Sequence, residues 1–138
     1  MKRKLRVACI QVDASQDWEE NLRHIGRLTD RALRQKADLV VFPETFCCRA
    51  YPSQYPFIAN ELSYLLVRGF QEKAKKSGVA FLLGSVIESS SRKKYFFNTS
   101  FLISEKGDLV AKYRKIHLFD INLKKKIAVR ESKDTLPG

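Results

Sequence analysis

Residues 39–46 read LVVFPETF, which places one glutamate directly after a short and wholly apolar stretch. The apolar run Ala37 to Phe42 predicts a buried strand, and Pro43 ends it because proline has no amide hydrogen to donate to a sheet. Glu44 then emerges at the end of a strand, where α/β folds place their working groups. Taken alone, this stretch favours a simpler interpretation, a loop carboxylate that faces solvent.

A second stretch, residues 109–120, reads LVAKYRKIHLFD and places a lysine among aromatic and β-branched neighbours. Because side chains alternate along an extended segment, Tyr113, Lys115 and His117 are expected on one side of it. Lys115 can then point into a pocket, and the alternative is one more surface lysine in a basic protein. Together the two stretches suggest a buried Glu and Lys brought together from separate strands, which means either chemistry or a costly structural pair.

The remaining pattern predicts alternating strands and helices. An alternating run from Leu5 to Val12 predicts a strand, and apolar spacing over Trp18 to Lys36 predicts a helix capped by Asp17. The prolines and tyrosines of Arg49 to Phe57 predict a loop beside the strand end. The other predicted elements are a helix from about Asn60 to Lys76 that Ser77 and Gly78 end, a strand from Val79 to Ile87, and a hairpin of Tyr95–Ile103 and Leu109–Tyr113 turned at Gly107.

This order of elements predicts an α/β layered fold in which one sheet is covered by helices, within a single domain of residues 1–138. After Ile121 the chain becomes charged, and no further strand or helix is predicted before Gly138. A hydrophobic content of 44% is enough for a real core. No apolar run approaches the roughly 20 residues of a membrane span, and no signal-peptide core follows Met1 to Lys4, so we predict a cytoplasmic protein without a membrane partner.

The net charge of +11 would suit a nucleic-acid binder. The excess is spread in small clusters, at Lys2 to Lys4, Arg92 to Lys94 and Lys124 to Lys126, and no recognition-helix or RNA-sheet motif accompanies them. A solvated basic surface is therefore the favoured interpretation, and no nucleic-acid partner is predicted.

Cysteine and histidine usage points to a reduced compartment without a metal. Cys9, Cys47 and Cys48 are odd in number and lack CxxC spacing, and the adjacent pair could join only through a strained vicinal disulfide. His24 and His117 have no second ligand at a spacing typical of a metal site. We therefore predict neither a metal nor a cofactor.

Read together, Glu44 in VVFPETF, Lys115 in AKYRKIHLFD and Glu131 in VRES resemble the carbon–nitrogen hydrolase, or nitrilase, superfamily. The resemblance covers nearly the whole chain and is supported by VACIQVD, FNTSFLISEKGDLVAKYRK and RESKDTLPG. Within the superfamily the chain looks most like the amidase branch that includes omega-amidase, through KYRKIHLFDIN followed by ES and PG. The resemblance implies an α-β-β-α sandwich that usually dimerises, with this chain as its N-terminal half.

The resemblance also implies a Cys–Glu–Lys catalytic set that cleaves non-peptide amide C–N bonds of small carboxamides. Glu44 would be the general base, Lys115 would stabilise the oxyanion, and Glu131 would be a second glutamate that orients the substrate or Lys115. The family's nucleophilic cysteine lies in a motif resembling CYD, beyond the region equivalent to RESKDTLPG, and the 138 residues stop before it. We therefore expect no hydrolysis by this chain alone.

Two partner hypotheses accompany this expectation. The chain pairs either with a complementing C-terminal half or another copy of itself, or it is a non-catalytic subunit or pseudoenzyme that pairs with a full-length relative. Because the other half would supply strands and helices that cover the sheet, exposed apolar surface and unpaired strand edges are expected. A basic nucleic-acid module is a third hypothesis, motivated by the net charge alone.

Overall fold

The computed structural model describes residues 4–123 and 127–138, so the basic cluster Lys124 to Lys126 and most of Lys2 to Lys4 lie outside the described residues. The described chain forms a five-stranded sheet, helices, and a separate two-stranded hairpin. The elements are β1 (Val7–Cys9), α1 (Trp18–Arg34), β2 (Leu39–Val41), α2 (Tyr55–Phe57), α3 (Ser63–Ser77), β3 (Ala80–Ser89), β4 (Phe96–Ile103), β5 (Leu109–Arg114), β6 (Asp120–Leu123) and β7 (Ile127–Arg130).

The larger sheet has the strand order β1-β2-β3-β4-β5, in which the first three strands are parallel and the last two are antiparallel additions. Leu39 pairs with Val7 on one side and with Ala80 on the other. This confirms the predicted α/β order of strand, helix, strand, helix, strand and hairpin. The first strand is shorter than the predicted run from Leu5 to Val12.

One face of this sheet carries the hydrophobic core. Val40 and Phe81 are neighbours in the register, and both are fully buried. The ring of Phe70 on α3 lies 5.1 Å from that of Phe81 and 5.0 Å from that of Phe42. Ile25 of α1 is buried in the same cluster, so both long helices cover this face.

The opposite face of the sheet remains open. Cys9, Val41 and Leu82 lie side by side in the register and alternate with the core residues. Val41 and Leu82 are only half-buried and Cys9 is exposed, while Val7 and Tyr113 are 43% and 55% exposed. The expected exposed apolar surface is therefore present on this face.

Local signals set several boundaries as predicted. The Asp17 carboxylate accepts a hydrogen bond from the Glu20 amide at 2.9 Å and caps α1, which ends at Arg34. Gly78 ends α3 with a φ of 67°, and Gly107 turns the β4–β5 hairpin with a φ of 84°. No helix in the described part of the chain is long and apolar enough to cross a membrane.

The predicted loop from Arg49 to Phe57 is partly helical. Pro52–Gln54 forms a 3₁₀ turn, and α2 continues through a π-helical turn at Ile58–Leu62 into α3. The prolines begin these turns and do not prevent them, because their fixed φ suits the first residues of a helix. The second helical segment therefore begins before Asn60, and the loop prediction was wrong for its second half.

The absence of strands after Ile121 was also predicted wrongly. Strands β6 and β7 pair in antiparallel order, with Asp120 opposite Arg130. The Asp120 carboxylate accepts hydrogen bonds from the Ser132 amide at 3.0 Å and from its hydroxyl at 2.6 Å, which fastens the end of the hairpin. The charged composition hid this hairpin because β6, which is mostly exposed, lacks the apolar alternation of a half-buried strand.

A cluster of charges joins β3, β4 and β5 on the side of the sheet away from Glu44. Arg114 donates two hydrogen bonds to the Glu88 carboxylate, at 3.0 and 3.1 Å, while Thr99 donates at 2.7 Å and Lys112 also donates. The Arg114 guanidinium stacks 3.8 Å from the centre of the Phe97 ring. Burial opposes ionisation of Glu88, but these donors outweigh it and lower the pKa of its carboxyl to about 2.

Replacing Glu88 with glutamine is expected to lower the free energy of unfolding by about 1–3 kcal/mol at pH 7, because charge-assisted hydrogen bonds are lost. A depressed folded-state pKa stabilises the protein above the unfolded value near 4.5, and that stabilisation disappears as the pH falls from 4.5 towards 2. Urea unfolding at several pH values should show the gap between wild type and E88Q shrinking over that window. The matched control is E72Q, which removes an exposed partner of Lys75 and should leave stability unchanged.

Candidate active site

Glu44 lies in a tight turn just beyond β2. The next residue, Thr45, has a φ of 47°, a left-handed conformation that is unfavourable for a β-branched residue. The Thr45 amide donates to the hydroxyl of Ser85 at 3.0 Å, and Ser85 is buried in the irregular stretch of β3 between Leu83 and Val86. The neighbouring strand therefore holds the turn that presents Glu44.

Gly84 allows this close approach of two backbones. A Cβ atom at this position would lie 1.8 Å from the Phe42 carbonyl oxygen and 2.6 Å from that of Pro43. No side chain fits in that space, so glycine is required by packing and not by its φ angle. Gly84 thus lets the end of β2, and with it Glu44, lie directly against β3.

Lys115 follows the last residue of β5. Its backbone amide donates to the Asn98 carbonyl at 2.9 Å, and its carbonyl accepts from the Gly138 amide at 3.0 Å. The extended segment ends at Arg114 and the chain then bends, so the predicted alternation does not continue to His117. Lys115 lines the candidate cleft, whereas His117 is exposed and does not line it.

The structure brings the three predicted site residues together. Lys115 Nζ lies 2.9 Å from Glu44 Oε1 and 2.9 Å from Glu131 Oε2. The Glu–Lys pair from separate strands therefore forms. It was predicted to be buried, but it is only partly so. The Glu44 side chain is 56% exposed, compared with 26% for Lys115 and 17% for Glu131.

The environment keeps Lys115 and Glu131 charged. Burial opposes the ionisation of each, but their mutual hydrogen bond and the Glu44 carboxylate raise the pKa of the Lys115 ammonium above its usual value. The same ammonium, the Phe119 amide at 2.7 Å and the Asn98 carboxamide at 3.2 Å lower the pKa of the Glu131 carboxyl. Both groups are thus ionised at neutral pH.

The two glutamates differ in how their oxygens are occupied. Both oxygens of Glu131 accept hydrogen bonds, whereas Glu44 accepts from Lys115 and Asn98 through Oε1. Within the described part of the chain, Glu44 Oε2 accepts none. A lysine ammonium has three donors, and two of those on Lys115 are engaged. Glu44 therefore offers a free carboxylate oxygen and Lys115 a free N–H.

These groups open into a cleft of about 1030 Å³. Its walls also carry three exposed cationic side chains and the hydroxyl-bearing ring of Tyr55. Burial, followed by the negative charges of Asp134 and Glu131, raises the pKa of the Tyr55 phenol, so it is a neutral hydrogen-bond donor. The cations are Arg49, Arg130 and Lys133.

None of the cysteines in the described residues lines this cleft. Cys47 and Cys48 are buried free thiols, and desolvation raises the pKa of Cys47 to about 12 and that of Cys48 above its usual value. Since the thiolate is the nucleophile, neither is suited to attack a substrate. Residues 4–123 and 127–138 also contain no group of three or more Cys, His, Asp or Glu side chains that could hold a metal ion.

A thiol-reactive dye should therefore label the native protein at one site. Cys9 is exposed and should react within minutes, whereas Cys47 and Cys48 should react only after denaturation because burial keeps them protonated and covered. Mass spectrometry of peptides from the labelled protein would assign the sites. Rapid labelling of Cys47 in the folded protein, with C9S as the control for background, would contradict this assignment of burial.

Asn98 was not predicted from the sequence as a site residue. Its carboxamide donates to Glu44 Oε1 at 2.6 Å as well as to Glu131, and its side chain is buried. A usable signal was present, because Asn98 is one of the polar residues in the middle of β4, a strand with apolar residues at both ends. The hydrogen bond from the Phe119 amide to Glu131 could not be predicted from the sequence. The position of a backbone donor depends on how the chain bends and not on the type of side chain.

A sequence model of the family described as carbon-nitrogen hydrolase matches residues 6–135, nearly the whole chain. The chain belongs to the carbon-nitrogen hydrolase family. Among curated relatives of this carbon-nitrogen hydrolase chain, the omega-amidase NIT2 of Mus musculus is 35% identical over 133 residues, which are 96% of this chain and 48% of that protein. Nitrilase homolog 2 of Dictyostelium discoideum is 32% identical over 133 residues and 40% of its own length. The chain thus spans about half the length of the curated relatives it matches.

Solved structures agree with this membership. The C. elegans NitFhit protein superimposes with a TM-score of 0.85 at 25% identity, over 96% of this chain and 32% of that chain. The NitN amidase from Nesterenkonia sp. AN1 gives a TM-score of 0.77 at 26% identity, over 98% and 50% of the two chains. Another structure of that amidase shows an acetamide moiety added covalently at its active site cysteine. The predicted nitrilase-like α/β fold of this carbon-nitrogen hydrolase chain is confirmed over about half the length of such structures.

Proposed function

We propose that this chain is the N-terminal part of a carbon–nitrogen hydrolase that cleaves the amide bond of small carboxamides through a cysteine nucleophile. The observation that carries the proposal is one ammonium, Lys115 Nζ, at 2.9 Å from the carboxylates of both Glu44 and Glu131 in an open cleft. A structural ion pair has no need of a cleft, whereas a catalytic set does. The family membership and the likeness to an amidase support the same reaction.

In this proposal Glu44 is the general base. Its free Oε2 takes the proton of the cysteine thiol as sulfur attacks the amide carbon, and the protonated Glu44 then gives that proton to the departing ammonia. The same carboxylate next takes a proton from water as the water oxygen attacks the thioester. The C–S bond then breaks, Glu44 returns the proton to the departing cysteine sulfur, and the carboxylic acid is released. Glu131 is unsuited to this role because both of its oxygens are already hydrogen-bonded.

Lys115 is the oxyanion stabiliser in this proposal. Attack by sulfur places a negative charge on the amide oxygen, and the unused N–H of Lys115 can donate to it. The two glutamates fix the ammonium through its other N–H groups, so little reorganisation is needed when the charge develops. Glu131 therefore acts by orienting Lys115, to which it is bonded at 2.9 Å.

The nucleophile is proposed to come from outside the 138 residues. The buried, protonated thiols of Cys47 and Cys48 argue against their use, and Cys9 lies on the open face of the sheet. That open apolar face supports a covering layer that would bring the cysteine with it. On this proposal the isolated chain does not hydrolyse amides, because the covalent route needs a thiolate.

The cleft also supports a preference for carboxamides that carry a negative charge. Arg49, Arg130 and Lys133 line it and none takes part in an ion pair among the described residues, so each can bind a substrate carboxylate. A monoamide of a short dicarboxylic acid combines the two groups required. Its kcat/KM should exceed that of a neutral amide of equal length, and this advantage should fall as salt is added.

The proposal is tested by joining the chain to the second half of the mouse omega-amidase and measuring ammonia release from small carboxamides. Turnover by the fused enzyme, absent from either half alone, is the expected result. Alkylation of the supplied cysteine by a haloacetamide would show independently that the nucleophile is in place. A folded fused enzyme that is alkylated but releases no ammonia from charged or neutral amides would overturn the proposal.

A second candidate function is a non-catalytic subunit that pairs through its sheet, and the open face with Val7 and Tyr113 favours it. Light scattering of the purified chain, alone and mixed with a full-length relative, tests this candidate. A stable monomer that does not associate would count against it.

A further inference from the structure

A single residue connects all three proposed catalytic residues. The Asn98 side-chain nitrogen lies 2.6 Å from Glu44 Oε1 and 3.2 Å from Glu131 Oε1, and its backbone carbonyl accepts a hydrogen bond from the Lys115 backbone amide at 2.9 Å. The residue is 5% exposed and sits in β4, a central strand of the sheet. Asn98 is therefore held in a strand that is paired on both sides, whereas the residues it touches lie in turns and at strand ends.

The charges of the site show what this side chain contributes. Two carboxylates share one ammonium, which leaves one negative charge without a counter-ion and would ordinarily drive one carboxylate to take up a proton. Asn98 provides two N–H donors, one for each carboxylate, without adding a charge. The other charged and titratable groups that line the cleft are Arg49, Tyr55, Arg130, Lys133 and Asp134.

The geometry also explains the unequal state of the two glutamates. Asn98 and Lys115 both bind Glu44 through Oε1, which fixes the carboxylate and leaves Oε2 available. On Glu131, Asn98 occupies Oε1, the one oxygen that Lys115 and the Phe119 amide leave open. The two N–H groups of Asn98 thus help to fix Glu44 with Oε2 free to accept a proton, and they occupy the last free oxygen of Glu131.

We propose that Asn98 is a positioning residue that holds Glu44 by one oxygen, so that the other accepts the proton, and completes the hydrogen bonding that keeps Glu131 ionised. The role of Glu44 in this statement rests on the proposed function, whereas the effect on Glu131 does not. Aspartate at this position would add a third carboxylate. Leucine would leave Glu131 Oε1 without a donor and Glu44 Oε1 with Lys115 alone, so neither replaces asparagine.

The test measures the carboxyl pKa of Glu131 in the 138-residue chain by NMR of ¹³C-labelled glutamate side chains. N98L is expected to raise this pKa by about 1, since one donor to each carboxylate is lost. N98D preserves volume and should raise it further by adding a negative charge, which keeps the test valid if N98L fails to fold. The matched control is N21A, because Asn21 is another buried asparagine whose bonds go to Ser15 and the Cys47 carbonyl.

N21A should lower the melting temperature while leaving the Glu131 pKa unchanged, which separates positioning from structural support. An unchanged Glu131 pKa in folded N98L or N98D would overturn the proposal. In the fused enzyme, N98D should also move the acidic limb of the pH–kcat/KM profile to higher pH. If the wild-type fused enzyme folds and is alkylated but is inactive, the proposed function fails, and the pKa measurement still decides the role of Asn98.

Discussion

Replacing Lys115 with methionine is expected to lower kcat/KM for carboxamide hydrolysis by the fused enzyme at least about 100-fold. Methionine has a similar length but offers no N–H to the oxyanion, and loss of one such donor typically costs about 10²–10³ in rate. The effect should fall mainly on kcat, since a neutral amide oxygen binds less strongly than the oxyanion. Steady-state ammonia release at several substrate concentrations separates the two parameters.

The matched control for this change is K106M, because Lys106 is exposed in the β4–β5 turn and touches none of the site residues. K106M should retain full activity. A K115M enzyme that folds and keeps a kcat within about twofold of wild type would remove Lys115 from the catalytic set. K115M should also raise the pKa of the Glu131 carboxyl, because its main donor is lost and Glu44 remains nearby.

Replacing Gly84 with alanine should lower the free energy of unfolding by at least about 3 kcal/mol, at or beyond the upper end of the usual cost of overpacking. The added Cβ would lie 1.8 Å from the Phe42 carbonyl oxygen, and the obstacle is backbone, which cannot rotate away as a side chain can. Relief requires β2 and β3 to separate, which would lengthen the Thr45–Ser85 hydrogen bond and displace Glu44. Urea unfolding followed by the fluorescence of Trp18, the single tryptophan, would measure the loss.

G69A is the matched control for Gly84. Gly69 lies inside α3, and an added Cβ would meet no atom within 4 Å. Alanine there should raise stability by up to about 1 kcal/mol, because it restricts the unfolded chain and favours the helix. If the G84A protein is as stable as wild type, the backbone at Gly84 of β3 must lie further from the Phe42 carbonyl than the distance of 1.8 Å implies.

Sequence predicts the parts of this fold that depend on local chemistry. Asp17 caps α1, Gly78 ends α3, and Gly107 turns the hairpin, because each acts on residues within one turn of itself. The hairpin of β6 and β7 was missed because β6 is mostly exposed and so lacks the apolar alternation of a half-buried strand. The helical segment that begins at α2, before the predicted start at Asn60, was missed. Proline is usually taken as a helix breaker, and it is favourable only in the first turn of a helix.

The candidate site divides in the same way. Glu44, Lys115 and Glu131 were predicted from a family resemblance, since the local patterns around Glu44 and Lys115 alone favoured surface residues. Their approach to within hydrogen-bonding distance depends on strand order, which no local pattern fixes. Asn98 was missed because its role arises from a register that places it between two carboxylates, and the short backbone contact at Gly84 was missed because it joins two separate strands.

The contact between Glu44 and Lys115 spans 71 residues of sequence, and Glu131 lies a further 16 residues along. Such long-range contacts form late, since the entropy of closing the intervening chain must be lost before they contribute any energy. During synthesis Glu44 leaves the ribosome well before its partners, as a carboxylate with no lysine beside it. The depressed pKa of Glu131 can therefore serve as an indicator that the site has folded, because it requires Asn98 of β4, Lys115 beyond β5 and the Phe119 amide to be in place together.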